Sequence, residues 1–312
     1  MSKPEKTHPS LARPSKAFLR FIQGYQDHEI ELTDAIGRSI APRLGKTFHT
    51  LRERFQAITD IGLSPTSKGL IHPQSGLLPA VGDAPDLRYN FTGEDNAQLV
   101  LFIHGSPGQA ADWNHFLTST PDGQTRIAVD RPGFGGSDPG RPFRQLSDQA
   151  DAIAGLIAER NRSTVVVGSS FGGPVALRLA ADYPDLVNGV VLVGAAADPL
   201  REKIHPFQRL ASTKLFTGLL PRPLIHSNAE LLSLREELHF LGERMGRIEA
   251  PVFILQGLHD TLVPPENATY LARKLTGTKK RRVIMVENAG HFLHILNPQV
   301  VENTLDDILN AI

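Results

Sequence analysis

Cysteine is absent from the 312 residues. That removes disulfides, a thiolate nucleophile, and any zinc or iron–sulfur centre held by cysteine. An excess of charge is absent too: 33 Lys and Arg face 33 Asp and Glu. No net field draws a polyanion, so nucleic acid is not an expected partner. No apolar run approaches the ~18 residues of a membrane span. Near the start, Ala17-Phe18-Leu19 is too short for the apolar stretch of a signal peptide. The expectation is a soluble, cytoplasmic protein. Also missing are HExxH, GxxxxGK[ST] and a GxGxxG following a strand, so metalloprotease, P-loop and dinucleotide chemistry have no support. The 12 histidines show no metal-ligand spacing, and neither metal nor cofactor is expected.

What remains is an ordinary globular composition, 40% hydrophobic and 21% charged. The length is about twice a typical ~150-residue domain, which allows two domains or one large α/β domain carrying an insertion. Residues 1–16 are polar with three prolines and read as a solvated tail. From Phe18 to Ile61, apolar residues recur at near-helical spacing (Phe18, Phe21, Ile22, Tyr25, then Leu32, Ile36 and Ile40), interrupted by Gly37, Pro42 and Gly45. Two or three amphipathic helices are expected there. They would pack on the main domain, contact a second copy of the chain, or lie on a membrane. Ten Lys and Arg against seven Asp and Glu over residues 1–60 are too weak an excess to favour lipid. Residues 62–85, rich in Gly, Pro and Ser, read as loop, so residues 1–84 form an N-terminal tail and helical extension.

Beyond residue 85 the pattern changes. Strand-length apolar runs at 99–104, 126–130, 164–168, 190–194, 252–256 and 283–287 alternate with helical stretches at 145–160, 174–181 and 265–275. Alternation of this kind implies an α/β fold with a mostly parallel central sheet flanked by helices. Residues 196–249 break it. They hold no strand-like run but helical pieces at 201–219 and 229–245, with Pro199, Pro206, Pro221 and Pro223 between them. The expected domains are therefore a core of 85–195 and 250–312 with a helical lid insertion, 196–249. The insertion would stand over the carboxyl ends of the strands, where open α/β sheets bind ligands.

The run Thr164-Val165-Val166-Val167-Gly168-Ser169-Ser170-Phe171-Gly172-Gly173-Pro174 carries G-x-S-x-G with Ser170 at its centre. A strand precedes it and a helical pattern follows. A sharp strand-to-helix turn presents such a serine as a nucleophile, with Gly168 and Gly172 removing side chains that would collide. A serine hydroxyl needs a base, and the base needs an orienting group. In this architecture they follow in the order serine, acid, histidine. Gly257-Leu258-His259-Asp260 follows one late run and Asn288-Ala289-Gly290-His291-Phe292 the next, which places Asp260 and His291 at the edge that holds Ser170. His294, three residues on, is a weaker candidate. An oxyanion hole needs two N–H donors. One is expected from Phe171, the residue after the nucleophile. The other is expected from Ser106 in Gly105-Ser106-Pro107-Gly108, the loop after an early run.

With these residues in order, the chain resembles the α/β-hydrolase superfamily. His104-Gly105-Ser106-Pro107-Gly108 is similar to its HGxPG loop, and the run from Asp130 to Ser137 resembles its D-x-P-G-x-G-x-S motif. Gly168 to Gly172 match the nucleophile elbow, Asp260 the acid loop, and Asn288 to Phe292 the histidine loop. The resemblance covers about residues 85–312 and leaves 1–84 outside. It implies the α/β-hydrolase fold and a cofactor-free serine hydrolase using Ser170, His291 and Asp260. Asp198 is a rival acid, because some members place it after the preceding strand. Members with Asp at the elbow attack carbon–halogen or epoxide carbons, so Ser170 points to acyl transfer. The expected substrate is a small or medium carboxylic ester or lactone. C–C bond hydrolysis, amide or peptide hydrolysis and perhydrolysis use the same triad and stay open, as does a ligand-binding protein without turnover. Trp113 and Phe171 are candidates for lining the pocket, with core packing the alternative for Trp113.

Overall fold

In a computed structural model, the described residues are 72–312 apart from 81–84, 95–96, 138, 163, 204–207, 209–211 and 214–219. They fall within one compact unit, Ser64–Ile312. The amphipathic stretch at 18–61 and the contact between copies expected through it lie outside the described residues, as does most of the helical piece at 201–219.

Eight strands form one sheet: β1 Gln74–Leu78, β2 Leu87–Gly93, β3 Gln98–Ile103, β4 Gln124–Val129, β5 Thr164–Ser169, β6 Val187–Val193, β7 Val252–Gly257 and β8 Arg281–Val286. Their order is β1-β2-β4-β3-β5-β6-β7-β8; the β1–β2 and β2–β4 pairs are antiparallel and the rest are parallel. Every apolar run read from the sequence is one of β3 to β8, displaced only at its ends. The helices are α1 Asn114–Thr118, α2 Leu146–Arg160, α3 Gly172–Asp182, α4 Arg222–Gly242, α5 Glu266–Lys274, α6 Leu293–Leu296 and α7 Pro298–Leu309.

The pleat sends successive side chains of each strand to opposite faces. Leu99, Leu101 and Ile103 of β3 join one core with residues of α2, α3, α4 and α5, whereas Val100 and Phe102 join the other with α1 and α7. Both faces are covered, so the central strands read as continuous apolar runs instead of alternating ones.

Two expectations are corrected. The segment 62–85, read as loop, contains β1, so the sheet begins at Gln74. Gly76 hides this strand: it lies beneath the Tyr89 ring, where a Cβ would collide, and glycine inside a strand marks such a close approach. In the insertion, α4 starts at Arg222 instead of at the piece expected from 229. Pro223, read as an interruption, lies in the first turn, where proline has no helical hydrogen bond to lose. The C-terminal half of α4 is part of the core through Leu234, Leu238 and Leu241. Its N-terminal half meets the loops after β3 and β4, through Ser227 beside Ser106 and His226 beside the Gly133 carbonyl.

Candidate active site

Ser170 follows β5 directly and has φ +52, the left-handed region that side chains rarely occupy. Its N–H donates to Val193 O at 3.0 Å, and its carbonyl accepts from Gly173 N–H at 3.0 Å. The turn is too tight for any side chain at its flanks. A Cβ on Gly168 would strike the Gly172 carbonyl, one on Gly172 would strike that of Ile103, and one on Gly173 would strike Ala195. Gly105, at the end of β3, packs against the serine: a Cβ there would lie 3.0 Å from Ser170 Cβ and 3.6 Å from its Oγ. The loop carrying Ser106 and the turn carrying Phe171 are thus brought together around Ser170.

The loops after β7 and β8 cross with their backbones in contact. His259 N–H donates to Ala289 O at 2.9 Å, and Gly257 leaves no room for a Cβ beside that carbonyl. This crossing pairs His291 with Asp260, Nδ1 donating to Oδ2 at 2.8 Å. Asp260 is otherwise fully occupied. Its Oδ1 accepts from the N–H groups of Leu262 at 3.0 Å and Val263 at 2.8 Å, and Gln256 Nε2 donates to Oδ2 at 3.2 Å. Gly194, after β6, lies alongside the pair: a Cβ there would be 3.3 Å from Asp260 Oδ2 and 3.4 Å from His291 Nδ1.

The rivals are placed elsewhere. Asp198 Oδ1 accepts from Leu200 N–H at 3.0 Å, while the N–H groups of Ala197 and Asp198 donate to Asn267 Oδ1. His294 is buried against Trp113, ring centroids 4.7 Å apart, with Nδ1 3.4 Å from Ser169 Oγ. Trp113 is fully buried and packs on Phe102 and Phe116 in the core. The Phe171 side chain is likewise buried, its ring under the Arg131 guanidinium at 4.6 Å.

Burial pushes His294 down to about 3, aided by the charge of His291. An unfolded imidazole takes up its proton near 6.5. Below that pH the unfolded chain is protonated while His294 in the fold is not, so this site makes stability fall as pH drops from 6.5 toward 3. His294→Phe, which keeps a ring against Trp113, is expected to lose less stability between pH 7 and pH 4, by on the order of 3 kcal/mol. Urea unfolding of both proteins at the two pH values checks it.

The run from Asp130 to Ser137 closes a knot of hydrogen bonds behind the loop after β3. Asp130 Oδ1 accepts from Ala110 N–H at 2.7 Å and Oδ2 from Gly136 N–H at 2.8 Å, tying the turn after β4 to the loop after β3. Burial raises Asp130, and burial pushes Asp112 beside it up to about 7. Sequence reasoning missed Arg131 and Glu230. Arg131 is fully buried and forms a two-point ion pair with Glu230 of α4, both contacts at 2.9 Å. An Arg inside the Asp130-to-Ser137 run is visible in the sequence; that its partner is Glu230, 99 residues away, is not. From the same helix, Ser227 meets Ser106, Oγ to Oγ at 2.8 Å. Among the described residues no group of three His, Asp or Glu converges as a metal site. No helix among them is long and apolar enough to cross a membrane.

A model of the alpha/beta hydrolase family matches residues 100–304. Epoxide hydrolase 3 of Xenopus tropicalis is 31% identical over 290 residues, covering 76% of this chain and 78% of that protein. A pimeloyl-[acyl-carrier protein] methyl ester esterase of Neisseria meningitidis is 28% identical over 232 residues, covering 63% of this chain and 87% of that one. Among solved structures, haloalkane dehalogenase DbeA of Bradyrhizobium elkani superposes with a TM-score of 0.63 at 21% identity, covering 77% of this chain and 100% of that one. From β3 to α7, the chain belongs to the alpha/beta hydrolase family.

Proposed function

We propose that the protein is a serine hydrolase that cleaves a small or medium carboxylic ester or lactone through an acyl-enzyme on Ser170. The observation that carries this reading is the left-handed Ser170 at the tip of β5, at the same sheet edge as the buried His291–Asp260 pair. With Nδ1 committed to Asp260, His291 has Nε2 left to accept the Ser170 proton as Oγ attacks the carbonyl. The N–H groups of Ser106 and Phe171 hold the negative oxygen of the tetrahedral intermediate. The proton then passes to the leaving alkoxide, and water activated by His291 releases the acid. A serine at the elbow, where the family's carbon–halogen and epoxide enzymes carry Asp, supports attack on a carbonyl. The insertion is read as a lid. Its Ser227 touches Ser106, so this helix would help select the acyl group.

The test is steady-state hydrolysis of short-chain p-nitrophenyl esters, together with fluorophosphonate labelling and mass-spectrometric location of the adduct. Turnover with the adduct on Ser170 is the expected result. Labelling without ester turnover moves the reading to diketones or amides, or to a ligand-binding protein if only one product is released per chain. No adduct at Ser170 overturns the serine mechanism.

A further inference from the structure

We propose that Arg131 is a positioning residue that sets both donors of the oxyanion hole, and that Glu230 of the insertion helix holds it there. The inference rests on the serine-hydrolase reading above and assigns a role to a buried network which that reading does not use. Arg131 sends three of its contacts to the loop after β3. Nε donates to His104 O at 2.9 Å, Nη2 donates to Gly105 O at 2.7 Å, and its backbone N–H donates to His104 Nε2 at 2.9 Å. His104 therefore accepts at Nε2 and donates from Nδ1, and that donation reaches the same Gly105 carbonyl at 2.8 Å. Burial, and then the Arg131 charge, holds this imidazole neutral.

Gly105 O thus receives two donors, one of them cationic. The Gly105–Ser106 peptide is planar and trans, so its C=O and N–H point in opposite directions. Fixing the carbonyl on Arg131 fixes the Ser106 N–H to point away from Arg131. Hydrogen bonds that polarise a carbonyl also strengthen the N–H of the same peptide as a donor. The other half of the hole is reached by packing, because the guanidinium lies 4.6 Å from the centre of the Phe171 ring, on the residue that supplies the second N–H. A single planar cation thereby holds the carbonyl of the peptide that carries one donor and packs on the side chain of the residue that carries the other.

What keeps Arg131 in place comes from elsewhere in the chain. Glu230 takes Nη1 and Nη2, and Gln149 of α2 accepts from Nη1 at 2.6 Å while donating to Glu230 at 3.1 Å. Such a fork can serve two carbonyls and a carboxylate at once; a lysine ammonium cannot reproduce its plane. The arrangement predicts that charge alone will not substitute for Arg131.

Two variants test this with a p-nitrophenyl ester as substrate and an alkyl trifluoromethyl ketone, which forms a tetrahedral adduct on Ser170, as the transition-state probe. Arg131→Lys keeps a charge for Glu230. The double variant Arg131→Met with Glu230→Met replaces the pair by apolar side chains, a change that buried ion pairs often tolerate, and it keeps the test open if the lysine variant fails to fold. In whichever variant folds, kcat is expected to fall about 100-fold, as on loss of one oxyanion donor, with KM within about threefold and with affinity for the ketone falling in parallel. A merely structural role would lower the melting temperature without this split. A folded variant whose kcat and ketone affinity both stay within about threefold of the parent overturns the proposal. If Ser170→Ala leaves turnover unchanged, the hydrolase reading itself fails; if Ser170→Ala abolishes turnover while the Arg131 variants retain it, only the role of Arg131 fails.

Discussion

Ser170→Ala is expected to lower kcat for a p-nitrophenyl ester by about 10⁴–10⁶-fold and to abolish fluorophosphonate labelling. The change removes one oxygen and nothing that builds the turn. The N–H of Ser170 still donates to Val193 and its carbonyl still accepts from Gly173, because both contacts are backbone. Residual catalysis of about 10³–10⁴ over water should remain, since the N–H donors and the binding surface survive. The backbone makes a second, opposite prediction at the same residue. Serine and alanine both hold a Cβ in the left-handed region, at roughly 1–2 kcal/mol. Ser170→Gly should therefore be as inactive as Ser170→Ala and more stable than it in urea, by about 1 kcal/mol. Loss of activity with gain of stability would identify the strained conformation as one retained for chemistry. A Ser170→Ala protein that kept a tenth of the parental kcat would remove Ser170 from the nucleophile role.

The parts of this fold that the sequence made legible are those where one physical cause dominates. Strands β3 to β7 are covered on both faces, so nothing polar interrupts Val165-Val166-Val167 or Val190 to Val193, and a run of that length is hard to mistake. The order of Ser170, Asp260 and His291 was legible for a similar reason. Each lies just past a strand end, and parallel strands bring their carboxyl ends to one edge. Where the signal came from tertiary contact, it disappeared. Gly76 makes β1 resemble a loop because the ring that explains it belongs to Tyr89 on the next strand. Pro223 resembles a break until the helix is seen to begin there. The Arg131–Glu230 pair depends on how the insertion docks, and no local pattern encodes docking. The tight turn at Ser170 was legible because so close an approach of strand and helix demands glycines, and glycines are visible in a sequence.

Asp260→Asn is expected to lower kcat by about 10⁴-fold, whereas Asp198→Asn should change it by no more than about threefold. The difference follows from what each carboxylate accepts. Asp260 takes hydrogen bonds on both oxygens, from Leu262 and Val263 on Oδ1 and from His291 and Gln256 on Oδ2. An amide has one oxygen. If that oxygen keeps the two backbone donors, the NH₂ group faces His291 Nδ1, and the imidazole must adopt the tautomer that carries its proton on Nε2. That tautomer cannot take the proton of Ser170. If the amide flips, the NH₂ group meets the N–H groups of Leu262 and Val263, and the turn after β7 loses its anchor. The first arrangement disables the base and the second releases the turn that holds Asp260 against it, so the loss should appear in kcat and in the rate of labelling at Ser170 alike. Asp198 offers no such conflict. Its Oδ1 accepts one backbone N–H, which an amide oxygen can accept equally. The consequence of that substitution is electrostatic: Glu202 is raised to about 7 by burial and by the negative charge of Asp198, so Asp198→Asn should lower its titration. A pH profile of kcat that falls in Asp260→Asn and keeps the parental level and shape in Asp198→Asn assigns the acid to the loop after β7. The reverse outcome would place it after β6 and leave the 2.8 Å contact with Asp260 a structural one.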